Sequence, residues 1–259
     1  MATTLHIMGN TVIITQTEDL NTSSTHSTTR HRVVFGMFGI VCCAAVVVAA
    51  VWFQHVVHFY SLRQTTADML HSKATGTEAQ QRRVLETVDF FKHETTRMPP
   101  AIAGDLGYLS MLAAQWENPY SLEGRIHALG AKTPLEKAIA SRPSDAFTWS
   151  RLAFVYTTLL QPKKALAAWR MSINAAPFEP TLLLWQIGFS LPLYDTLSDT
   201  DQQRVQQQVL NLWRFSRWQT AKILAEFQRP ELLRPRLIES EGSKDFEQAY
   251  RHFLSIQEK

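Results

Sequence analysis

Apolar residues follow two different patterns along this chain. From 33 to 53 (VVFGMFGIVCCAAVVVAAVWF) every position is apolar or glycine. As a helix this run would reach about 31 Å, the thickness of a bilayer core. Downstream, apolar residues recur instead at helical intervals, as expected of helices with one buried face. The pattern predicts that the first helix continues through Leu70, carrying Phe59, Leu62, Met69 and Leu70, and that Gly76 ends the segment. A second amphipathic helix is expected over 77–97 with Val84, Val88 and Phe91 on one stripe, closed by Pro99 and Pro100. Toward the C-terminus, 218–228 places Ile223, Leu224 and Phe227 on one face and stops before Pro230. A last helix over 243–256, with Ser243 as N-cap, buries Phe246, Tyr250, Phe253 and Leu254. Beyond the apolar run no stretch alternates with period two, so that part of the chain reads as all-α. Residues 1–31 are rich in Thr and Ser and read as a disordered tail. The β-prone patch Thr11–Thr15 within them has no convincing partner nearby.

The middle of the chain has a more specific spacing. Trp149, Leu152, Ala153 and Tyr156 stand on one face of a first helix, and Ala165 and Trp169 on one face of a second, which Pro177 ends. This W-x2-L-[AG]-x2-Y…A-x3-[FW]…P arrangement resembles the tetratricopeptide repeat. Stepping back by that repeat's 34-residue period takes Pro177 to Pro143, Trp169 to Leu135, Ala165 to Ala131 and Ser172 to Ala138. A preceding repeat is therefore expected. Its first helix is 103–117, with Leu109, Leu112, Ala113 and Trp116. Its second is 131–142, with Thr133 as N-cap and Pro134 in the first turn. The loop between them, 117–130, is about six residues longer than the repeat allows. On the other side Leu184, Ile187 and Gly188 continue the first-helix pattern, and 199–216 supplies a long second helix. Helical pairs of this kind cannot bury their faces alone. They stack into α-solenoids and bind other proteins.

Charge sets the expected topology. Arg30 and Arg32 flank the N-terminal end of the apolar run, and Trp52, Phe53, Phe59 and Tyr60 cluster at the other. The positive-inside rule then places 1–32 in the cytoplasm and 60–259 across the membrane. A signal peptide cleaved after Ala50 is the competing reading. The long N-terminal region and apolar character persisting through Val57 favour an uncleaved anchor. The two cysteines, Cys42 and Cys43, are adjacent and mid-span, so the exported part has none and needs neither redox compartment. That suits a bacterial periplasm. A formal net charge of +3 is too small to argue for nucleic acid. The chain thus divides into a tail (1–32), a transmembrane helix (33–53), juxtamembrane amphipathic helices (54–100) and a repeat domain (101–259). Gly36, Gly39, Ala45 and Ala49, small residues at helix-packing intervals in the span, leave self-association open.

Catalytic chemistry has no visible vehicle. There is no Gly-rich phosphate loop, no G-x-S-x-G elbow and no H-E-x-x-H. His93 and Glu94 begin the last of these, but Arg97 occupies the second histidine position. His55 and His58 lie one turn apart at the lipid boundary, without further ligands. No enzyme, metal or cofactor is expected. A protein-binding groove is, and the free face of the clearest first helix carries Phe147, Ser150, Arg151, Phe154 and Thr158. Burial of Phe147 and Phe154 against the next repeat is the equal alternative.

Over 131–228 the order of features is more particular. A-x-x-R-P is followed by W-x-x-L-A-x-x-Y, then A-P-F-E-P-T, an apolar helix and L-S-D-x-D-x-x-R-V. Through Trp149, Pro177, Phe178, Glu179, Pro180 and Arg204 this resembles the membrane-anchored VpsP-like accessory proteins of bacterial exopolysaccharide clusters. The Thr-rich tail departs from that pattern. The resemblance implies a non-enzymatic, periplasm-facing adaptor at the inner membrane that serves polysaccharide polymerisation or export. An assembly factor for another envelope machine, such as cytochrome c maturation or secretion, shares the same layout. An enzyme with a dispersed site is the third reading.

Overall fold

A computed structural model describes residues 5–7, 10–12, 23–71, 76–94, 98–237 and 241–257. The side chains of 5–7, 10–12 and 23–39 and of most of 51–58 lie outside that set. The chain forms two units, Met1–His58 and Phe59–Lys259.

In the first unit, strands β1 (Leu5–Ile7) and β2 (Asn10–Val12) pair antiparallel, with Leu5 opposite Val12. Part of the patch expected to lack a partner is therefore paired. Helix α1 (Ser23–His71) begins ahead of the apolar run and continues beyond it. The side chains described from Ile40 to Ala50 are all exposed. Among the described residues no helix is long and apolar enough to cross a membrane. The expected span 33–53 falls partly on side chains outside them.

The second unit is helical throughout its described residues. It opens with the last turns of α1, where Leu62 and Met69 are fully buried and the Phe59 ring stacks on Phe91 at 6.0 Å. Gly76, at φ +58°, reverses the chain in the left-handed region that glycine alone enters freely. Helix α2 (Glu78–Phe91) then starts on a reciprocal cap. Gln80 N–H donates to the Thr77 hydroxyl, and Thr77 N–H donates to the Gln80 side chain. Val84, Val88 and Phe91 are its buried stripe, as expected, but it ends at Phe91 and not at 97. Pro99 and Pro100 open the next helix, since proline at N1 has no N–H to lose.

Helices α3 (Pro100–Trp116) and α4 (Leu122–Ser141) form an antiparallel pair. Contact is close because Gly107 faces Leu135, where a Cβ would sit 2.6 Å from Leu135 Cγ. Ala131, Leu135 and Ala138 are buried as the 34-residue offset predicts, and so are Leu109, Leu112 and Ala113. The long loop does not exist. Ser121 caps α4 by accepting from Gly124 N–H, and the helix runs through Thr133 and Pro134 without a break. Pro134 removes one backbone hydrogen bond, that to Gly130, whose exposed position leaves its carbonyl to water. The excess length is helical: α4 has 20 residues and α6, its counterpart in the next pair, has 14.

Helices α5 (Ala146–Thr158) and α6 (Pro162–Ala175) are the clearest repeat. Leu152, Ala153, Tyr156, Ala165 and Trp169 are buried, and Trp169 Nε1 donates to the Gln186 carbonyl at 2.8 Å. Trp149 is half-buried and donates to the Pro143 carbonyl at 2.8 Å. Helix α7 (Pro180–Ser190) and a 3-10 turn (Leu191–Thr196) lead to α8 (Asp199–Phe215), followed by α9 (Arg217–Glu226) and α10 (Glu241–Gln257). Phe246 and Tyr250 anchor α10, which begins before Ser243, so that serine lies inside the helix.

Candidate functional site

The five residues expected to line a groove all lie on α5, and the fold uses them differently. Asp145 caps the helix by accepting from Thr148 N–H, which orients the first turn. Phe147 is 41% exposed. Ser150 is buried and donates to the Phe147 carbonyl at 2.8 Å. Thr158 is also buried, and Phe154 is half-buried against the core. The Arg151 guanidinium lies 4.2 Å from the centre of the Tyr108 ring on α3. Burial holds its pKa below the usual arginine value, against the pull of Tyr108, Asp145 and Asp105. Asp105, half-buried beside Arg63, is pushed above the usual carboxylate range by the same loss of water. Of the five, Phe147 is the most exposed. An approaching partner would also reach parts of Arg151 and Phe154.

A second surface forms at the opposite end of the same helices. With a rise of about 1.5 Å per residue, the 20 residues of α4 outreach the 13 of α5. Their adjoining ends are aligned because only residues 142–145 separate them, and near the far end of α5 Tyr156 donates to Glu136 at 2.7 Å. The N-terminal turns of α4 therefore project past the α5–α6 turn. Under this overhang lies a cavity of about 620 Å³. Tyr120 lines it from the loop just ahead of α4, Leu160 and Pro162 from the α5–α6 turn, Phe189 from α7, and Pro192 and Leu193 from the 3-10 turn. The lining is apolar, as protein and peptide grooves are. Leu160 is 61% exposed at φ +56°, a conformation that disfavours leucine. It serves as the left-handed residue ending α5, letting Gln161 N–H donate back to the Tyr156 carbonyl at 2.8 Å.

Tyr120, Leu160, Phe189 and Leu193 did not figure among the expected site residues. A signal was present for Tyr120 and Leu160: bulky apolar residues in 117–130 and at 159–160, where a polar turn with glycine is usual.

The residues that carried the exopolysaccharide resemblance have mostly architectural roles. Glu179 caps α7, with Pro180 in its first turn. The Pro177 carbonyl accepts from Gln208 at 3.1 Å and Asn211 at 3.2 Å. Arg204 donates to Asn174 at 2.6 Å. Beside it Asp201, buried in the first turn of α8, receives a two-pronged hydrogen bond from Arg170 of α6 and one from the Ser198 hydroxyl. These contacts hold its carboxyl below the usual range. Phe178 is the exception: it is 69% exposed. Among the described residues no group of three His, Cys, Asp or Glu side chains is placed to hold a metal. Compared with known proteins, the chain matches no family model, no curated protein and no solved structure.

Proposed function

We propose that this chain is a non-enzymatic adaptor anchored in a bacterial inner membrane. In this reading 33–53 spans the bilayer with the N-terminus in the cytoplasm. The helical pairs from α3 onward stack as a tetratricopeptide-like solenoid in the periplasm and bind protein partners during exopolysaccharide biosynthesis or export. The observation that carries the reading is the pairing of two consecutive helical hairpins whose second helices keep the 34-residue repeat offset at buried positions, beside an apolar cavity open to solvent. Such surfaces suit peptide and helix recognition and offer no group poised for acid–base or nucleophilic work.

The test joins cross-linked co-purification from membranes with secreted polysaccharide yield in a deletion strain carrying each variant. Leu160→Asp and Leu193→Asp should reduce both partner capture and yield, while His93→Gln, His127→Gln and His252→Gln leave them unchanged. Normal polysaccharide in the deletion strain, with defective cytochromes or secretion, would replace the exopolysaccharide assignment by that of another envelope machine. Loss of yield in the histidine variants at normal protein level would point to catalysis instead.

A further inference from the structure

The overhanging half of α4 carries an apolar stripe that nothing covers among the described residues. Leu122 is 70% exposed, Ile126 59% and Leu129 61%, and Thr133 completes the row. The intervals of four, three and four place these residues on one narrow line of the helix, the a/d seam of a coiled coil with leucine at d and isoleucine at a. The opposite face of α4, with Gly124, Ala128 and Ala131, is buried. The stripe is therefore a second apolar face on a helix already docked by its first.

Charge identifies the occupant. Arg125 and Lys132 flank one side of the stripe, and Glu123 and Gly130 flank the other. A second copy of this chain packed antiparallel about a two-fold axis would set the Arg125/Lys132 side against itself, which like charges oppose. A lipid surface calls for a wide apolar face, whereas an a/d-only line is the narrow seam that one helix offers another. We propose that this face of α4 docks an amphipathic helix of a partner protein, whose own a/d seam is apolar and whose flank opposite Arg125 and Lys132 is acidic. This deepens the adaptor reading, on which it rests, by naming the kind of partner.

The experiment uses the full chain in detergent micelles, with Cys42→Ser and Cys43→Ser, and an environment-sensitive dye on Gly130→Cys. Gly130 borders the stripe, and a Cβ there meets nothing within 4 Å, so the cysteine itself displaces no neighbour. The probe is a 21-residue peptide of three heptads with Ile at a, Leu at d and Glu at e and g, prevented from self-pairing by its own glutamates. Its control carries Lys at e and g. The glutamate peptide should shift the dye emission to the blue and saturate, with the lysine peptide at least about tenfold weaker. Ile126→Asp should abolish the shift, and Arg125→Glu with Lys132→Glu should reverse the preference. Equal response to both peptides, response to neither, or an unaffected Ile126→Asp variant overturns the proposal. A blue shift in phosphatidylglycerol bilayers without peptide, lost in phosphatidylcholine, also overturns it and assigns the stripe to lipid. Failure of the peptide arm while cross-linking still captures partners removes this face alone and leaves the adaptor reading in place.

Discussion

The two tryptophans of the repeat differ in what they hold. Trp169 is fully buried with its indole N–H satisfied inside the domain, whereas Trp149 is half-exposed, packs on the core from its edge and ties down the loop at Pro143. Trp169→Ala should therefore destabilise the 59–259 fragment by about 3–5 kcal/mol, and Trp149→Ala by less than half as much, in denaturant titrations. Equal losses would mean that Trp149 has a buried role not visible in its exposure. Asp201 carries the clearest pH dependence. Its folded pKa is lowered, foremost by the Arg170 hydrogen bond and also by Ser198. It therefore adds stability above the unfolded carboxylate pKa of about 4, and this is lost as pH falls through the lower folded value. Asp201→Asn should cost about 1.5–3 kcal/mol at pH 7 and flatten the acid-side decline of the melting midpoint below the unfolded carboxylate pKa of about 4. A variant with an unchanged acid limb would show that other carboxylates dominate.

Helix by helix, the positions legible in the amino-acid pattern were those whose burial depends on spacing alone. Ala131, Leu135 and Ala138 lie where the 34-residue offset puts them, and the stripe of α2 is as read, while in α10 Phe246 and Tyr250 are buried and Phe253 and Leu254 half-buried. Local signals misled where tertiary packing overrode them. Thr133-Pro134 has the form of a helix start, yet α4 continues through it because Leu135 on one side and Ala131 on the other are locked against α3. Ser243 is not the cap either, since α10 begins two residues before it, at Glu241. The candidate site was harder to read. Burial of Ser150 and Thr158 depends on which helix lies over α5, and the cavity depends on the relative lengths of neighbouring helices. Two glycines of one hairpin test this packing in opposite directions. Gly107→Ala forces a Cβ into Leu135 and should destabilise by about 1–3 kcal/mol. Gly130→Ala should stabilise by about 0.5–1 kcal/mol, read from paired thermal melts. Leu160→Gly should likewise gain about 1 kcal/mol by relieving the left-handed leucine.

For the molecule as a whole, the last turns of α1 belong to the core of the second unit, since Leu62 and Met69 are fully buried and Phe59 packs on Phe91. A fragment beginning at 77 should be less stable than one beginning at 59 by about 3–6 kcal/mol, the loss of two large buried side chains. Equal midpoints in urea would show that α1 contributes no core. Topology is checked with reporters: a periplasmic reporter fused after Lys259 should be active and one fused after Arg30 inactive, and the reverse pattern would overturn the proposed orientation. The overhang of α4 has a different consequence. The recess beside it goes with a mismatch in length between adjacent hairpins, so that one edge of the helical pairs is stepped. Substitutions along its walls should alter its chemistry while preserving its outline. Insertions or deletions of a turn in either hairpin should fill or erase it, so variation in repeat length becomes a way to create or lose a binding surface while the buried spacing stays in phase.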